Sequence, residues 1–170
     1  MKRKPLGALT SDLIMNMAFR KILVPVDFSP MSRAAVEQAL GFAQLFHGSI
    51  HLLHVWEVPA YLRPDLTVWS EDLSASLELH LRAEAENAMR HLMVDTSLEG
   101  RAGVETEIRS GTPHSTIVEV AEDGRFDLIV MGTHGRGALS RLLMGSVAER
   151  VVRLASCPVL TVRLPPATEK

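Results

Sequence analysis

Phe126-Asp127-Leu128-Ile129-Val130-Met131 runs straight into Gly132-Thr133-His134-Gly135-Arg136-Gly137-Ala138-Leu139-Ser140-Arg141-Leu142-Leu143-Met144-Gly145-Ser146, and a helix-like run follows from Val147. The first run is short and apolar, as a strand buried on both faces is. A buried strand that ends in glycines and leads to Gly-Ser at a helix mouth lets bare backbone N–H groups approach a phosphate. Glycine inside a helix costs roughly 1 kcal/mol against alanine, so Gly145 is placed at a helix start, where it leaves room for a ligand and tolerates positive φ. Ser146 reads equally as a helix N-cap or as a phosphate contact, and the two are compatible. Gly132 and Gly135 taken alone are as consistent with plain turns as with a ligand loop.

Working outward, Lys21 to Asp27 is another short apolar run, and Pro25 belongs at its carboxyl end, where pairing finishes. Ser32 to Phe46 carries a helical apolar stripe that Ser29 or Ser32 caps and His47-Gly48 stops. Ile50 to Val55 reads as a second strand, and Trp56 to Ser70, with two prolines and no clean period, as a loop or lid. Leu73, Leu77, Leu81, Ala85, Ala88, Met89 and Leu92 mark a long amphipathic helix whose outer face pairs Glu78 with Arg82 and Glu86 with Arg90. Val104 to Arg109 alternates as an edge strand does, Gly111-Thr112-Pro113 turns into a helix from about His114 to Asp123, Ser146 to Leu154 is the last helix and Val159 to Val162 the fifth strand.

Strands alternating with helices through right-handed crossovers give an α/β fold, a Rossmann-like doubly wound parallel sheet of five strands with helices on both faces. Such sheets bind ligands outside the carboxyl ends of the strands where the winding reverses. If Asp27 and Gly132 serve one ligand, the first and fourth strands are neighbours and the order is 3-2-1-4-5.

With 170 residues and 46% hydrophobic content, the chain suits one domain with a substantial core. A net charge of -2 and the lack of a basic, aromatic-laced patch argue against a nucleic-acid binder. The single Cys157, ahead of Pro158 in an apolar run, reads as a buried thiol in a reducing compartment. Met1-Lys2-Arg3-Lys4 has the charge of a signal-peptide head, but no apolar segment of secretory or membrane-spanning length follows. Residues 1–20 are expected to be a flexible extension, 21–164 the domain and 165–170 a tail, in a cytoplasmic protein without membrane contact.

Lys21-Ile22-Leu23-Val24-Pro25-Val26-Asp27-Phe28-Ser29, Leu53-His54-Val55, Gly111-Thr112-Pro113-His114 and Gly132-x2-Gly135-x9-Gly145-Ser146, in that order along the chain, closely resemble the universal stress protein family over residues 20 to 164. The glycine pattern resembles the branch of that family that binds ATP. The resemblance implies that Pro25 and Asp27 lie beside base and ribose, with Asp27 accepting a hydrogen bond or helping hold a metal. It also implies that the Val55 backbone reads the adenine edge, that Met131 and Gly132 lie at the ribose, and that His134, Gly135, Gly145, Ser146 and Val147 surround the phosphates. Mg2+ would enter through the phosphates rather than through a protein metal site, and a homodimer would form through the last strand.

Each residue has a plainer reading beside that one. Asp27 in a strand-to-helix turn also suits a cap. His51 and His54 alternate on one strand with no sequence neighbour to complete a metal set, and are expected to face a helix or solvent. His134 fits a phosphate contact or a solvent-facing role, and Arg136 and Arg141 either neutralise phosphate or do nothing there. Three function classes remain: a nucleotide-responsive stress or signalling regulator, a slow ATP hydrolase, and a dimerising interaction module whose pocket is vestigial or serves another adenine nucleotide. The second lacks a Gly-x4-Gly-Lys-Ser/Thr loop and any placed general base other than Asp27. Val159-Leu160-Thr161-Val162, as an edge strand with unpaired backbone groups, offers a surface for a second copy.

Overall fold

Alternation decides which way each strand faces. Ile22, Val24, Ile50, Leu52, Leu128 and Val130 form one core cluster, while Leu23, Leu53, Ile129 and Met131 form another on the opposite face. Both faces of the central strands are therefore covered, which is why these runs are apolar throughout. The computed structural model describes residues 19–57, 71–134 and 144–164. Its strands are β1 (Lys21–Pro25), β2 (Ser49–Trp56), β3 (Val104–Ser110), β4 (Leu128–Gly132) and β5 (Val159–Val162). Its helices are α1 (Pro30–Phe46), α2 (Glu71–Asp95), α3 (Pro113–Asp123) and α4 (Ser146–Leu154). The five strands are parallel and ordered β3-β2-β1-β4-β5, the order expected from a ligand shared by β1 and β4. α1 and α2 pack on the first cluster, α3 and α4 on the second.

Pro25 closes β1 as expected. Val26 donates its N–H to Leu53 O at 2.8 Å, so the nitrogen of the preceding residue faces β4, where the paired register ends at Leu23 and Ile129. The missing proline donor thus falls where no partner is needed.

α1 starts on Ser29, whose hydroxyl accepts the Ser32 N–H at 3.2 Å, with Pro30 in the first turn. It stops at His47 in the left-handed region, φ 53°, with the Gly48 N–H on Ala43 O at 2.9 Å. On α2 the expected ion pairs shift partner: Arg82 pairs with Glu86 at 3.1 Å, and Arg90 turns to Asn87. No helix among the described residues is long and apolar enough to cross a membrane. The expectations for residues 1–18 and 165–170, for the loop beyond Glu57, for Gly135 and for Arg136 and Arg141 lie outside the described residues; Trp56 itself ends β2.

Candidate functional site

The winding reverses between β1 and β4, and the carboxyl ends of both strands open there onto a cavity of about 420 Å³. That volume falls within the range of roughly 300–1,000 Å³ usual for small-molecule pockets. Its walls come from six elements. The end of β1 supplies Pro25, Val26 and Asp27, β2 supplies Leu53 and Val55, and β4 with its following turn supplies Met131, Gly132, Thr133 and His134. Pro113 and Ile117 of α3 close one side, Ser32 of α1 lines it too, and Gly145, Ser146, Val147 and Ala148 bring the start of α4 to the other. Nine of the ten sequence-derived candidates thus meet around one cavity, and the tenth, Gly135, is outside the described residues.

The start of α4 is built to leave donors open. Gly145 is the N-cap, with φ -65° and ψ 148° and no side chain to cap with, and the first helical bond runs from the Glu149 N–H to Gly145 O at 2.9 Å. The amides of Ser146, Val147 and Ala148 precede it and have no acceptor within the helix. They lie at the positive end of a nine-residue helix dipole. Capping therefore belongs to Gly145 rather than Ser146, whose exposed side chain is left to the cavity.

Neither Gly132 nor Gly145 needs positive φ. Both are demanded by contact instead. A Cβ on Gly145 would lie 3.1 Å from Thr133 O, and one on Gly132 would lie 3.0 Å from the Met31 Cβ. Gly145 also donates its N–H to that Thr133 oxygen at 2.8 Å, so the two arms of the loop are pinned together backbone to backbone.

His134 is buried, 8% exposed, with Nδ1 3.0 Å from Thr133 Oγ1. Its Nε2 is buried with no hydrogen-bond partner among the described residues. A buried polar atom in that state calls for a partner from outside the described residues. Asp27 Oδ1 accepts the Ser29 N–H at 3.1 Å, so it braces the turn into α1 while the capping hydroxyl is Ser29's. Asp27 is the one carboxylate among the described lining residues, and they include no lysine or arginine. An anion here would meet backbone dipoles and an imidazole, a hydroxyl would find a carboxylate acceptor, and a flat apolar ring would find Leu53, Val55, Ile117 and Met131.

The strand histidines differ from expectation. His51 faces the neighbouring strand, with Nε2 2.8 Å from Glu107 and Nδ1 3.4 Å from Glu105. Its ring edge lies against Phe126, at 5.4 Å between centroids. Burial alone would raise the Glu107 carboxyl, but hydrogen bonds from Arg109 and His51 and their charges hold it below the ordinary glutamate range. His54 places Nδ1 2.8 Å from Val26 O, its ring 4.5 Å from that of Phe28. Cys157 is half-buried, and burial pushes its thiol up, away from the reactive thiolate.

Thr133, Leu53, Ser32, Pro113, Ile117, Val26 and Ala148 line the cavity without having been singled out as ligand residues. Some had a signal: Leu53 shares a strand face with Val55 by alternation, and Thr133 stands between two candidates. Pro113 and Ile117, one turn apart on α3, reach the cavity only through the sheet order.

The model of the universal stress protein family matches residues 18–163. The chain belongs to that family. Universal stress protein MJ0531 of Methanocaldococcus jannaschii is 36% identical over 148 residues, which cover 86% of this chain and 84% of that one. The solved structure of MJ0577 from the same organism is 33% identical with a TM-score of 0.75, covering 88% of this chain and 99% of that one. A universal stress protein solved in complex with cAMP shares the fold, with a TM-score of 0.61, 23% identity and coverage of 86% and 98%.

Proposed function

We propose that this universal stress protein binds ATP in the β1–β4 cavity and acts as a nucleotide-responsive regulator rather than as a dedicated enzyme. One observation carries the reading: a single cavity joins an apolar wall, a carboxylate at Asp27 and the open amides of Ser146, Val147 and Ala148, the three kinds of surface that base, ribose and phosphates each require. The residues present fit that ligand. Leu53, Val55, Ile117 and Met131 take the base and Asp27 a ribose hydroxyl, while the start of α4 with His134 takes phosphate oxygens. Mg2+ would ride on the phosphates and supply the positive charge that the described lining lacks.

Thermal denaturation tests it. Mg-ATP at a hundredfold over its dissociation constant adds about 2.7 kcal/mol. At about 2–4 °C per kcal/mol, the midpoint rises by roughly 5–11 °C. An unchanged midpoint at millimolar Mg-ATP, or an equal rise with Mg-GTP, rejects the assignment.

We infer in addition that the regulator is a homodimer paired along β5. Pro158 O and Val162 O both accept from the β4 side, so by alternation the main-chain groups of Val159 and Thr161 face the free edge. Leu164, two residues beyond the strand, is an exposed apolar side chain. Thr161→Pro removes one free-edge donor while sparing the β4 ladder, and sedimentation velocity should then show a monomer where the wild type is a dimer. A wild-type monomer at micromolar concentration contradicts the pairing.

A further inference from the structure

Every polar atom of Thr133 is engaged, and between them the contacts reach β5, the mouth of α4, α1 and His134. Its N–H donates to Val162 O at 3.0 Å, the last rung between β4 and β5. Its carbonyl accepts the Gly145 N–H at the mouth of α4. Its hydroxyl lies 3.4 Å from the same Val162 oxygen, 3.5 Å from Met31 Sδ and 3.0 Å from His134 Nδ1. The side chain is 1% exposed, so none of these bonds competes with bulk water.

The proton inventory fixes the direction of the chain. A phosphate oxygen can only accept, so in a neutral ring a ligand held at His134 Nε2 requires the hydrogen on that nitrogen. Nδ1 then accepts the single hydrogen of Thr133 Oγ1, so engagement of Nε2 sets the ring's tautomer and orientation at the cavity wall. The path runs from the cavity through His134 and the α4 mouth to Thr133, and from Thr133 to the last residue of β5.

We propose that Thr133 is the positioning residue through which occupancy of the cavity is transmitted to edge strand β5. The proposal rests on the ATP-binding reading. A ligand that engages the open amides at the start of α4 and His134 Nε2 holds Gly145 and the imidazole in place, and both close on Thr133. β5 is four residues long, half-exposed throughout and, among the described residues, paired on one side only, so it is the strand whose local opening such a tie controls most. Linkage makes the effect reciprocal: whatever orders β5, a second copy on its free edge included, raises ligand affinity by the same factor.

Hydrogen exchange at the Leu160 and Val162 amides, which face β4, reads the tie without depending on dimerisation. Saturation with Mg-ATP, set for each variant by calorimetry, should slow exchange at these amides about fivefold or more in the wild type. The amides of β3, at the opposite edge, serve as reference. Thr133→Val keeps the shape but removes the hydroxyl, and should lose the slowing at saturation; Thr133→Ser should restore it. A purely structural role would alter exchange equally with and without ligand. Unchanged exchange at β5 in wild type with ATP bound overturns the proposal, as does equal slowing in Thr133→Val. If calorimetry finds no ATP bound to the wild type, the nucleotide reading fails first and takes this one with it.

Discussion

The two ends of the sheet are finished differently. At the amino end, Asp127 Oδ2 accepts the N–H groups of Arg20 and Lys21 at 2.9 and 2.8 Å, and its own N–H returns to Lys21 O. Lys21 Nζ closes on Gly124 O at 2.6 Å and lies over the Phe126 ring. At the carboxyl end, the amides of Ser146 to Ala148 have no acceptor within their helix, and His134 Nε2 is buried without a partner among the described residues. Buried or terminal polar groups are ordinarily satisfied, so the open end is the one that suits the proposed ligand. Substitutions at the closed end should affect stability alone; those at the open end should affect stability and binding together.

The largest effect is expected at Gly145. Valine there would place its Cβ 3.1 Å from Thr133 O and 3.5 Å from the His134 Cα, before its methyl groups are counted. Overpacking of this kind costs about 1–3 kcal/mol, and the roughly 2.7 kcal/mol that saturating ATP adds should vanish with it. Urea denaturation with and without Mg-ATP measures both. A Gly145→Val protein that keeps the full ATP-dependent gain shows that the pinned loop is not part of the ligand site.

Asp127→Ala is the matching change at the closed end. It removes one carboxylate from two backbone donors, at a cost of about 1.5 kcal/mol, near the lower end for charged hydrogen bonds because the group is half-buried. The ATP-dependent gain should be intact. If that gain falls too, the two ends are coupled and the contrast between them breaks down. Ser29→Ala should cost less, about 1 kcal/mol for a lost N-cap. Ser29 braces Asp27 through its own N–H, which alanine keeps, so ATP binding should weaken little, and a large loss by calorimetry would place the hydroxyl itself at the ligand.

How much of this was readable in the sequence follows from range. Local signals carried well: Pro25 ended β1, Ser146 to Leu154 and Val159 to Val162 appear with the expected bounds, and the shared-ligand argument for Asp27 and Gly132 gave the sheet order. Contacts that need register did not carry. The carboxylates beside His51 come from β3, more than fifty residues away in sequence, and appear only once His51 is aligned with Glu105 across the ladder. The glycines were recognised but for a partly mistaken reason, because a close approach between Gly145 and Thr133 leaves no trace in the chain whereas positive φ has a known residue preference. Thr133 carries no signal in the chain for the same cause: its partners lie on β5, α1 and at the mouth of α4.

The smallest expected effect lies in that cross-strand set and sharpens the contrast by its pH dependence. Glu107 is held below the ordinary glutamate range because Arg109 Nε and His51 Nε2 bond its two oxygens, outweighing the burial that would raise it. A carboxyl lowered in the folded state contributes stability above its unfolded value and loses it as pH falls through the folded one. Wild type should therefore exceed Glu107→Gln in melting temperature at neutral pH, and the gap should close on acidification below the ordinary glutamate range. The side chain is 29% exposed, so water screens the interaction and the gap stays small. The ATP-dependent rise at neutral pH should be the same in both proteins, since Glu107 is not among the residues lining the cavity. A gap that is constant with pH would mean that the amide substitution acts through packing rather than charge.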